Sequence, residues 1–264
     1  MKHEATLLDI KNLSIAFGGL KAVDDLSFSI NQGEIYGLIG PNGAGKTTVF
    51  NCITQFYKPD QGELRFRNKK GDIVSLTSLP TYRVLEQGIV RTFQNVELIR
   101  ELSILDNVLI GAHIDYEKTT VLDELFNTGR RRREEKKQIE AARRALQFLG
   151  IDHYRLFPAG SQPYGIQKKV ELARTLMSDP KLIILDEPAA GLDERETVEL
   201  ADEILRIRKE YDTTILLVEH DMQLVMKICD RISAINFGRL LATGTAAEIR
   251  ADQKVQEAYL GVDA

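Results

Sequence analysis

The sequence predicts an α/β fold with a mostly parallel sheet in its core, an N-terminal antiparallel β subdomain and a helical subdomain in the middle. Three observations predict it. A glycine-rich loop joins an apolar strand to a helix at 40–48, strands alternate with helices after residue 180, and residues 95–180 show a period of about 3.6 residues. Alternating strands and helices favour a parallel sheet because parallel neighbours need a crossover connection.

The amino-acid composition limits the classes of protein to which this chain can belong. The chain has 264 residues, a formal net charge of −4 and 28% charged residues of both signs, so no basic surface argues for nucleic acid as a partner. Cys52 and Cys229 stand in apolar stretches without metal-ligand spacing, which predicts buried free thiols in a reducing compartment such as the cytosol. Residues 1–10 have no apolar signal core and no run approaches about 18 apolar residues, so we expect membrane association only through another protein.

The N-terminal third is predicted to consist mostly of strands. Apolar runs at 7–17, 26–30 and 35–39 are separated by turn signals at 18–19 and 31–33. We expect these runs to form a small antiparallel sheet that leads into the core. A turn at 59–62 then introduces a strand at 63–67, and residues 88–93 are expected to form a short core strand.

Residues 40–48 form the most informative motif. They lie between the apolar strand 35–39 and a helical run at 47–53. The glycines let successive backbone N–H groups point at one anion, and the helix N-terminus adds its dipole. We expect Lys46 to reach the β- and γ-phosphates of a nucleotide and Thr47 to offer its hydroxyl to Mg²⁺. The predicted nucleotide contacts are Gly40, Pro41, Asn42, Gly43, Ala44, Gly45, Lys46, Thr47 and Thr48.

Residues 95–180 are predicted to form the helical subdomain, and 1–94 with 181–264 the nucleotide-binding core. Apolar residues recur on helical faces within the subdomain, at Val121, Leu122, Leu125 and Phe126 and again at Ile139, Ala142, Leu146 and Leu149. The charged run 130–137 has two interpretations. It is either a patch that binds nucleic acid or lipid headgroups, or the solvated start of a helix. Its interrupting acidic residues favour the solvated helix.

Strand and helix alternate again after residue 180. Strands are predicted at 181–185, 214–218 and 232–236, with helices at 194–211 and 221–229 between them. Sheets of this kind bind their ligands beyond the carboxyl ends of the strands. The residues that directly follow each strand are therefore the candidates for chemistry.

Polar residues stand at these positions after three strands. Asp186 and Glu187 follow the strand at 181–185; Asp186 is the expected Mg²⁺ ligand, and Glu187 the expected general base that polarises the attacking water. His220 follows the strand at 214–218 on the same edge, where catalytic groups are expected. Gln94 follows the strand at 88–93, and its neutral amide can contact Mg²⁺ or water without adding charge.

The order and spacing of these elements resemble the nucleotide-binding subunit of ATP-binding cassette (ABC) transporters over nearly the whole chain. By this resemblance Gln94 corresponds to the Q-loop, Asp186 and Glu187 to the Walker B pair, residues 191–193 to the D-loop and His220 to the switch histidine.

The resemblance also carries expectations for ligands and partners. Phe17 is expected to stack on adenine, with ATP and Mg²⁺ as cofactors. The implied protein is an ATPase bound to integral permease subunits at the cytoplasmic face of the cell membrane. An extracytoplasmic substrate-binding protein is an indirect partner, and no nucleic acid is expected.

The signature segment departs from the family pattern. The usual Leu-Ser-Gly-Gly-Gln falls on 162–166, where Pro163 replaces the serine and Gly165 is the remaining glycine expected to meet a partner's ATP. Proline supplies neither the hydroxyl nor an N–H. This variant and the tail 257–261 resemble the LivG-type subunit of branched-chain amino-acid importers. The resemblance implies a dimer with a LivF-type cassette, with a homodimer as the alternative.

Several other functions are alternatives to this transport motor. Close relatives of LivG-type subunits handle urea, short amides or lipopolysaccharide. A GTPase would recognise guanine through an Asn-Lys-x-Asp motif. Residues 68–71 come nearest to this motif but lack the aspartate. A soluble cassette acting on DNA would need a long coiled coil before the signature, and ribosome-acting members carry two cassettes per chain. The sequence favours an ATP-hydrolysing subunit of an amino-acid transporter.

Overall fold

The structure is a computed structural model that describes residues 5–92, 97–112 and 129–260. The chain divides into two compact units, at Arg91–Thr92 and at Pro180–Lys181. The first unit therefore combines the N-terminal and C-terminal parts of the chain. The second unit is the stretch between them.

Ten strands are described, and all of them belong to the first unit. They are β1 (Thr6–Phe17), β2 (Leu20–Asn31), β3 (Ile35–Ile39), β4 (Gln61–Arg67), β5 (Ile73–Ser75), β6 (Ile89–Arg91), β7 (Leu182–Asp186), β8 (Thr214–Val218), β9 (Arg231–Asn236) and β10 (Arg239–Gly244).

Nine α-helices lie in the described part of the chain. They are α1 (Lys46–Ile53), α2 (Thr81–Glu86), α3 (Ile104–Ile110), α4 (Gly129–Phe148), α5 (Tyr164–Leu176), α6 (Glu194–Glu210), α7 (Met222–Ile228), α8 (Ala246–Ala251) and α9 (Gln253–Leu260). Side chains define several of their starts. Asp193 and Glu196 form a capping box at α6, and the Asp221 carboxylate accepts two backbone N–H bonds at α7.

An antiparallel sheet forms the N-terminal layer, in the order β2-β1-β4-β5. This confirms the predicted antiparallel subdomain for the runs at 7–17 and 26–30, whereas the run at 35–39, expected in the same sheet, belongs to the core sheet. The second strand begins at Leu20 rather than at residue 26, because Phe17 pairs with Leu20 across a tight turn and the hairpin continues from there. Gly18 and Gly19 occupy that turn with φ of 54° and 90°, a backbone region that favours glycine.

A six-stranded sheet forms the core, in the order β10-β9-β3-β8-β7-β6. All its pairings are parallel except that of β9 with β10, which confirms the predicted mostly parallel sheet. The central strands β3, β7 and β8 are buried along their whole length, as expected of strands covered on both faces. Their carboxyl ends lie side by side at one edge.

The second unit contains α3, α4 and α5, which pack against one another. Ala142, Leu146 and Leu149 are buried, which confirms the predicted apolar face of this helical segment; Ile139 is half-buried. The described part of the charged run, residues 132–137, is exposed, in agreement with a solvated helix. The predicted apolar positions between 121 and 126 lie outside the described residues.

Both cysteines are buried free thiols, as the sequence predicts. Burial raises the pKa of Cys52 to about 12 and also raises the pKa of Cys229, so neither thiol is primed for nucleophilic chemistry. Within the described ranges, no helix combines the length and apolar character that crossing a bilayer requires.

Candidate active site

The glycine-rich loop leaves β3 after Ile39 and enters α1 at Lys46. Gly43 and Gly45 have φ of 79° and 103°, so glycine is required for this path. A Cβ on Gly45 would lie 2.5 Å from the carbonyl oxygen of Ala22, which the fold cannot accommodate. The loop is therefore shaped by close backbone approach, as in a phosphate-binding loop.

Lys46 is the first residue of α1, and its side chain lies along the loop. Its ammonium donates hydrogen bonds to the carbonyl oxygens of Gly40 at 2.6 Å and Pro41 at 3.0 Å. Burial lowers the pKa of Lys46, while the nearby charges of Glu187 and Asp186 act in the opposite direction. The loop lysine thus lies in the electrostatic field of both carboxylates that follow the core strand.

Asp186 ends β7, with only 6% of its side chain exposed. Its Oδ2 accepts a hydrogen bond from Nη2 of Arg91 at 2.6 Å. Burial raises the pKa of this carboxyl group, and the bond to Arg91 acts against the rise. The other terminal nitrogen of Arg91 donates to Oδ1 of Asn51, on α1, at 2.7 Å.

Glu187 is held in an uncommon backbone conformation, with φ of 48°. Its N–H donates to the carbonyl oxygen of Val218 at 2.8 Å, which fixes the turn to the end of β8. Its side-chain Oε1 lies 2.5 Å from Nε2 of His220. A non-glycine residue in this region costs energy and persists where its surroundings hold it, which is a frequent feature of functional sites.

Glu219 joins the segments that follow β7 and β8. This buried carboxylate accepts a hydrogen bond from the Ala189 N–H at 2.6 Å through Oε1 and one from the His220 N–H at 3.0 Å through Oε2. Burial raises its pKa, against the effect of these backbone donors. Glu219 therefore positions both the turn after Glu187 and the backbone of His220.

The remaining predicted nucleotide contacts also belong to the first unit. Phe17 is 45% exposed at the end of β1 and makes an edge contact with Tyr57, with ring centroids 5.1 Å apart. Thr47 and Asn42 are exposed, whereas Ala44 is buried. The C-terminal helix α9 also reaches this loop: burial raises the pKa of Tyr259 to about 12, and a hydrogen bond with the Gly40 backbone opposes the rise.

The signature segment belongs to the second unit, at the start of α5. Pro163 is the N-cap residue, and no side chain caps the helix. The helix begins with Tyr164, which is 42% exposed, and Gly165 is half-buried. The first backbone N–H groups of a helix have no partner within the helix, so this N-terminus can offer donors to an anion. Gln94 lies outside the described residues.

These residues fit a nucleotide held together with Mg²⁺. In the described part of the chain, no group of three or more His, Cys, Asp or Glu side chains could hold a metal by itself. Magnesium beside phosphates needs only one or two protein oxygens, because the phosphates and water supply the rest. A buried carboxylate at Asp186 and a hydroxyl at Thr47 are of the right chemistry for that role.

A phosphate loop that leaves the carboxyl edge of a buried parallel sheet and runs into a helix defines the class of P-loop nucleoside triphosphatases. Two family models narrow this class. Residues 23–190 match the model described as ABC transporter, and residues 239–264 match the model described as Branched-chain amino acid ATP-binding cassette transporter. The chain belongs to the ABC transporter family.

Curated relatives match along almost the whole chain. The high-affinity branched-chain amino acid transport ATP-binding protein LivG of Salmonella typhimurium is 44% identical, over 97% of this chain and 98% of its own length. The corresponding protein BraF of Pseudomonas aeruginosa is 41% identical with the same coverage.

A solved structure confirms the fold. It is the ADP conformation of an ATP-binding cassette of an ABC transporter, with a TM-score of 0.82 and 32% identity over 97% of this chain and 99% of that one. As a member of this family, the chain is a nucleotide-binding ATPase subunit that works with membrane permease components.

The sequence did not single out Arg91, Asn51, Glu219 or Tyr259. Arg91 directly precedes the segment that contains Gln94, and Glu219 directly precedes His220. Arg91 and Glu219 share one signal in the sequence, because each is a charged residue at the end of an apolar strand. Such a residue is expected to have a partner, since a buried charge needs one. Nothing local identifies that partner.

Proposed function

We propose that this chain is the ATP-hydrolysing motor of an importer of branched-chain amino acids. The observation that carries the motor assignment is the Glu187–His220 contact, which lies in the same unit as the phosphate loop and Asp186. The match of residues 239–264 and the names of the relatives support the substrate class. The chain acts from the cytoplasmic face of the membrane, to which permease subunits attach it.

The phosphate loop binds ATP through backbone N–H groups and Lys46. The ammonium of Lys46 exchanges its bonds to the carbonyls of Gly40 and Pro41 for phosphate oxygens. Phe17, half-exposed on the same unit, stacks on the adenine ring. The dipole of α1 adds a favourable field at the phosphates.

Thr47 and Asp186 would hold Mg²⁺, with Gln94 as a further ligand. A bound ion would supply positive charge that offsets the negative charge of the phosphates. Asp186 would contribute a buried carboxylate whose Oδ2 accepts a hydrogen bond from Arg91. Thr47 contributes a hydroxyl from the exposed first turn of α1.

Glu187 acts as general base and takes the proton of the attacking water. His220 holds the Glu187 carboxylate through the 2.5 Å contact between Nε2 and Oε1. The left-handed backbone of Glu187 and its bond to Val218 limit where that carboxylate can point. Such fixed placement is what a general base needs, because proton transfer requires hydrogen-bond distance.

Two cassettes bind two ATP molecules between them, and each signature segment meets the nucleotide of the other cassette. On this chain, Gly165 and the N-terminus of α5 supply the donors to the partner's ATP. Hydrolysis at Glu187 removes the γ-phosphate that bridges the pair, and the cassettes reopen. In a homodimer both sites would face Pro163, whereas a partner with an intact signature would complete one of them, so a LivF-type cassette is the expected partner.

An exposed apolar patch on the second unit is the docking surface for the permease. It consists of Ile99, Leu102, Leu156 and Phe157, which are 36–70% exposed. Backbone bonds from Ile104 to Phe157 and from Ala159 to Leu102 join the two segments that carry them. An apolar patch of this kind marks a protein contact, and a cytoplasmic helix of the permease is the occupant that a transport cassette requires.

Purification and uptake test this function. The chain is expected to co-purify in detergent with two kinds of partner, integral permease subunits and a second cassette. Proteoliposomes that contain the complex and its binding protein should take up leucine, isoleucine or valine only with internal ATP. The Phe157→Asp variant should lose the permease while retaining ATP binding. Recovery with ribosomes or DNA, or ATP-dependent uptake of urea in place of these amino acids, would contradict the proposal.

A further inference from the structure

Arg91 ends β6 and joins three elements of the first unit. Its Nη2 donates to Oδ2 of Asp186 on β7 at 2.6 Å, and its Nη1 donates to Oδ1 of Asn51 on α1 at 2.7 Å. The centre of its guanidinium group lies 5.3 Å from the centroid of the Phe50 ring. The strand that carries the proposed metal ligand is thereby tied to the helix that carries the phosphate-loop lysine.

The chemistry of this contact requires an arginine. The side chains of Asp186 and Arg91 are 6% and 17% exposed, so water contributes little to solvating either charge. A buried carboxylate needs a cation and defined hydrogen bonds to remain charged in one orientation. The planar guanidinium offers two donors in fixed directions, one toward each acceptor, whereas a lysine would offer a single point charge.

We propose that Arg91 is a positioning residue for the magnesium site: it fixes the Asp186 carboxylate in the orientation that Mg²⁺ and its water ligands require. Arg91 bonds Asp186 at Oδ2, so Oδ1 would be the oxygen that serves that shell. This inference rests on the metal role proposed for Asp186. Partners that orient a metal ligand typically matter about 10- to 100-fold for metal affinity.

The test is nucleotide binding with and without magnesium. Affinity for a fluorescent non-hydrolysable ATP analogue is measured on the purified transporter complex, in EDTA and across a Mg²⁺ titration. Arg91→Met should raise the Mg²⁺ concentration for half-maximal binding about tenfold, and affinity in EDTA should change less than about twofold. The Mg²⁺ requirement of Arg91→Lys should fall between those of Arg91→Met and the wild type, because lysine restores the charge but not the planar pair of donors in fixed directions.

A matched variant controls for the loss of an arginine–aspartate pair. Arg208 donates to Asp230 at the same 2.6 Å, in the same unit, and neither residue belongs to the proposed site. Arg208→Met should leave the Mg²⁺ requirement unchanged. An unchanged or lower Mg²⁺ requirement in Arg91→Met would overturn the inference, and so would an equal loss of affinity in EDTA and in Mg²⁺.

The Asp186→Asn variant separates this inference from the proposed function. If Asp186→Asn raises the Mg²⁺ requirement and Arg91→Met does not, only the role of Arg91 is wrong. If Asp186→Asn leaves the requirement unchanged, the metal role of Asp186 is itself wrong, and the inference fails with it.

Discussion

Oε1 of Glu187 and Nε2 of His220 lie 2.5 Å apart, although 33 residues separate them in the chain. The register of the core sheet brings them together, because Asp186 on β7 pairs with Val218 on β8 and each residue follows the end of its strand. Glu219 fixes both turns through its bonds to the Ala189 and His220 backbone. The sheet edge therefore holds a carboxylate and an imidazole in a set relationship, as the proposed chemistry requires.

Removal of the imidazole tests whether His220 positions Glu187. His220→Ala should lower the ATPase rate of the complex roughly 100-fold while nucleotide affinity changes little, because the base loses the group that orients it. Steady-state ATP hydrolysis and equilibrium binding measure the two quantities. His153→Ala is the control, since His153 is exposed on the second unit. Near-normal turnover in His220→Ala would remove the residue from the mechanism.

Lys46 is expected to contribute mainly to binding. Lys46→Ala deletes the cation that faces the phosphates and should weaken ATP affinity about tenfold or more. The matched control is Lys11→Ala, because Lys11 is exposed and pairs only weakly with Asp9 at 3.3 Å. Isothermal titration of ATP into each variant compares them. Unchanged affinity in Lys46→Ala would contradict the assignment of the phosphate loop.

Glu219 should make stability depend on pH in a defined direction. Burial raises its pKa above the ordinary 4.5, so the folded state binds more protons than the unfolded state between those two values. The free energy of unfolding should therefore fall as pH rises from about 4.5 through the raised pKa. Glu219→Gln removes this titration, and urea unfolding at several pH values should show a smaller decline for the variant. Parallel stability curves for the two proteins would exclude the effect.

The altered signature predicts that this chain works with a different cassette. In a homodimer both sites would face Pro163, and the missing hydroxyl and N–H would cost on the order of 1 to 3 kcal/mol per site. The chain alone should hydrolyse ATP slowly, and a neighbouring cassette with an intact signature should stimulate it. Pro163→Ser should strengthen self-association, because serine restores the missing donors.

Sedimentation with ATP and turnover at increasing protein concentration distinguish these cases. The Glu187→Gln variant serves as the background control in the ATPase measurements. Strong cooperative turnover by the wild-type chain alone, at moderate concentration, would rule out a required heterodimer. Tyr164 and the dipole of α5 would then be the groups that compensate for Pro163.

Local patterns predicted most of the architecture. The apolar runs of β7 and β8 end at polar residues of the sheet edge, Asp186 and Glu219, and the run of β3 leads into the glycine-rich loop. The predicted starts of α6 and α7 lie within one residue of the observed starts, and Asp193 and Asp221 stand before these helices as caps. Strands and helices with such signals can be predicted with little information from the rest of the chain.

The C-terminal elements and the side-chain pairs could not be predicted from local patterns alone. Thr245 and Glu248 form a capping box that indicates α8, but the helix is too short to show a clear apolar period. Arg91 and Asp186 are 95 residues apart and meet because β6 lies next to β7. Strand order is a property of the whole fold, so no local pattern could have assigned that pair.

The most direct measurement is single-turnover hydrolysis by the Glu187→Gln complex in proteoliposomes, with uptake of branched-chain amino acids followed in parallel. The glutamine keeps the size of the side chain but cannot accept the proton of water. We expect ATP to bind with near-normal affinity, hydrolysis to fall roughly 100-fold or more, and transport to stop with the cassettes held together by ATP. Hydrolysis and uptake at wild-type rates would show that Glu187 is not the general base of this motor.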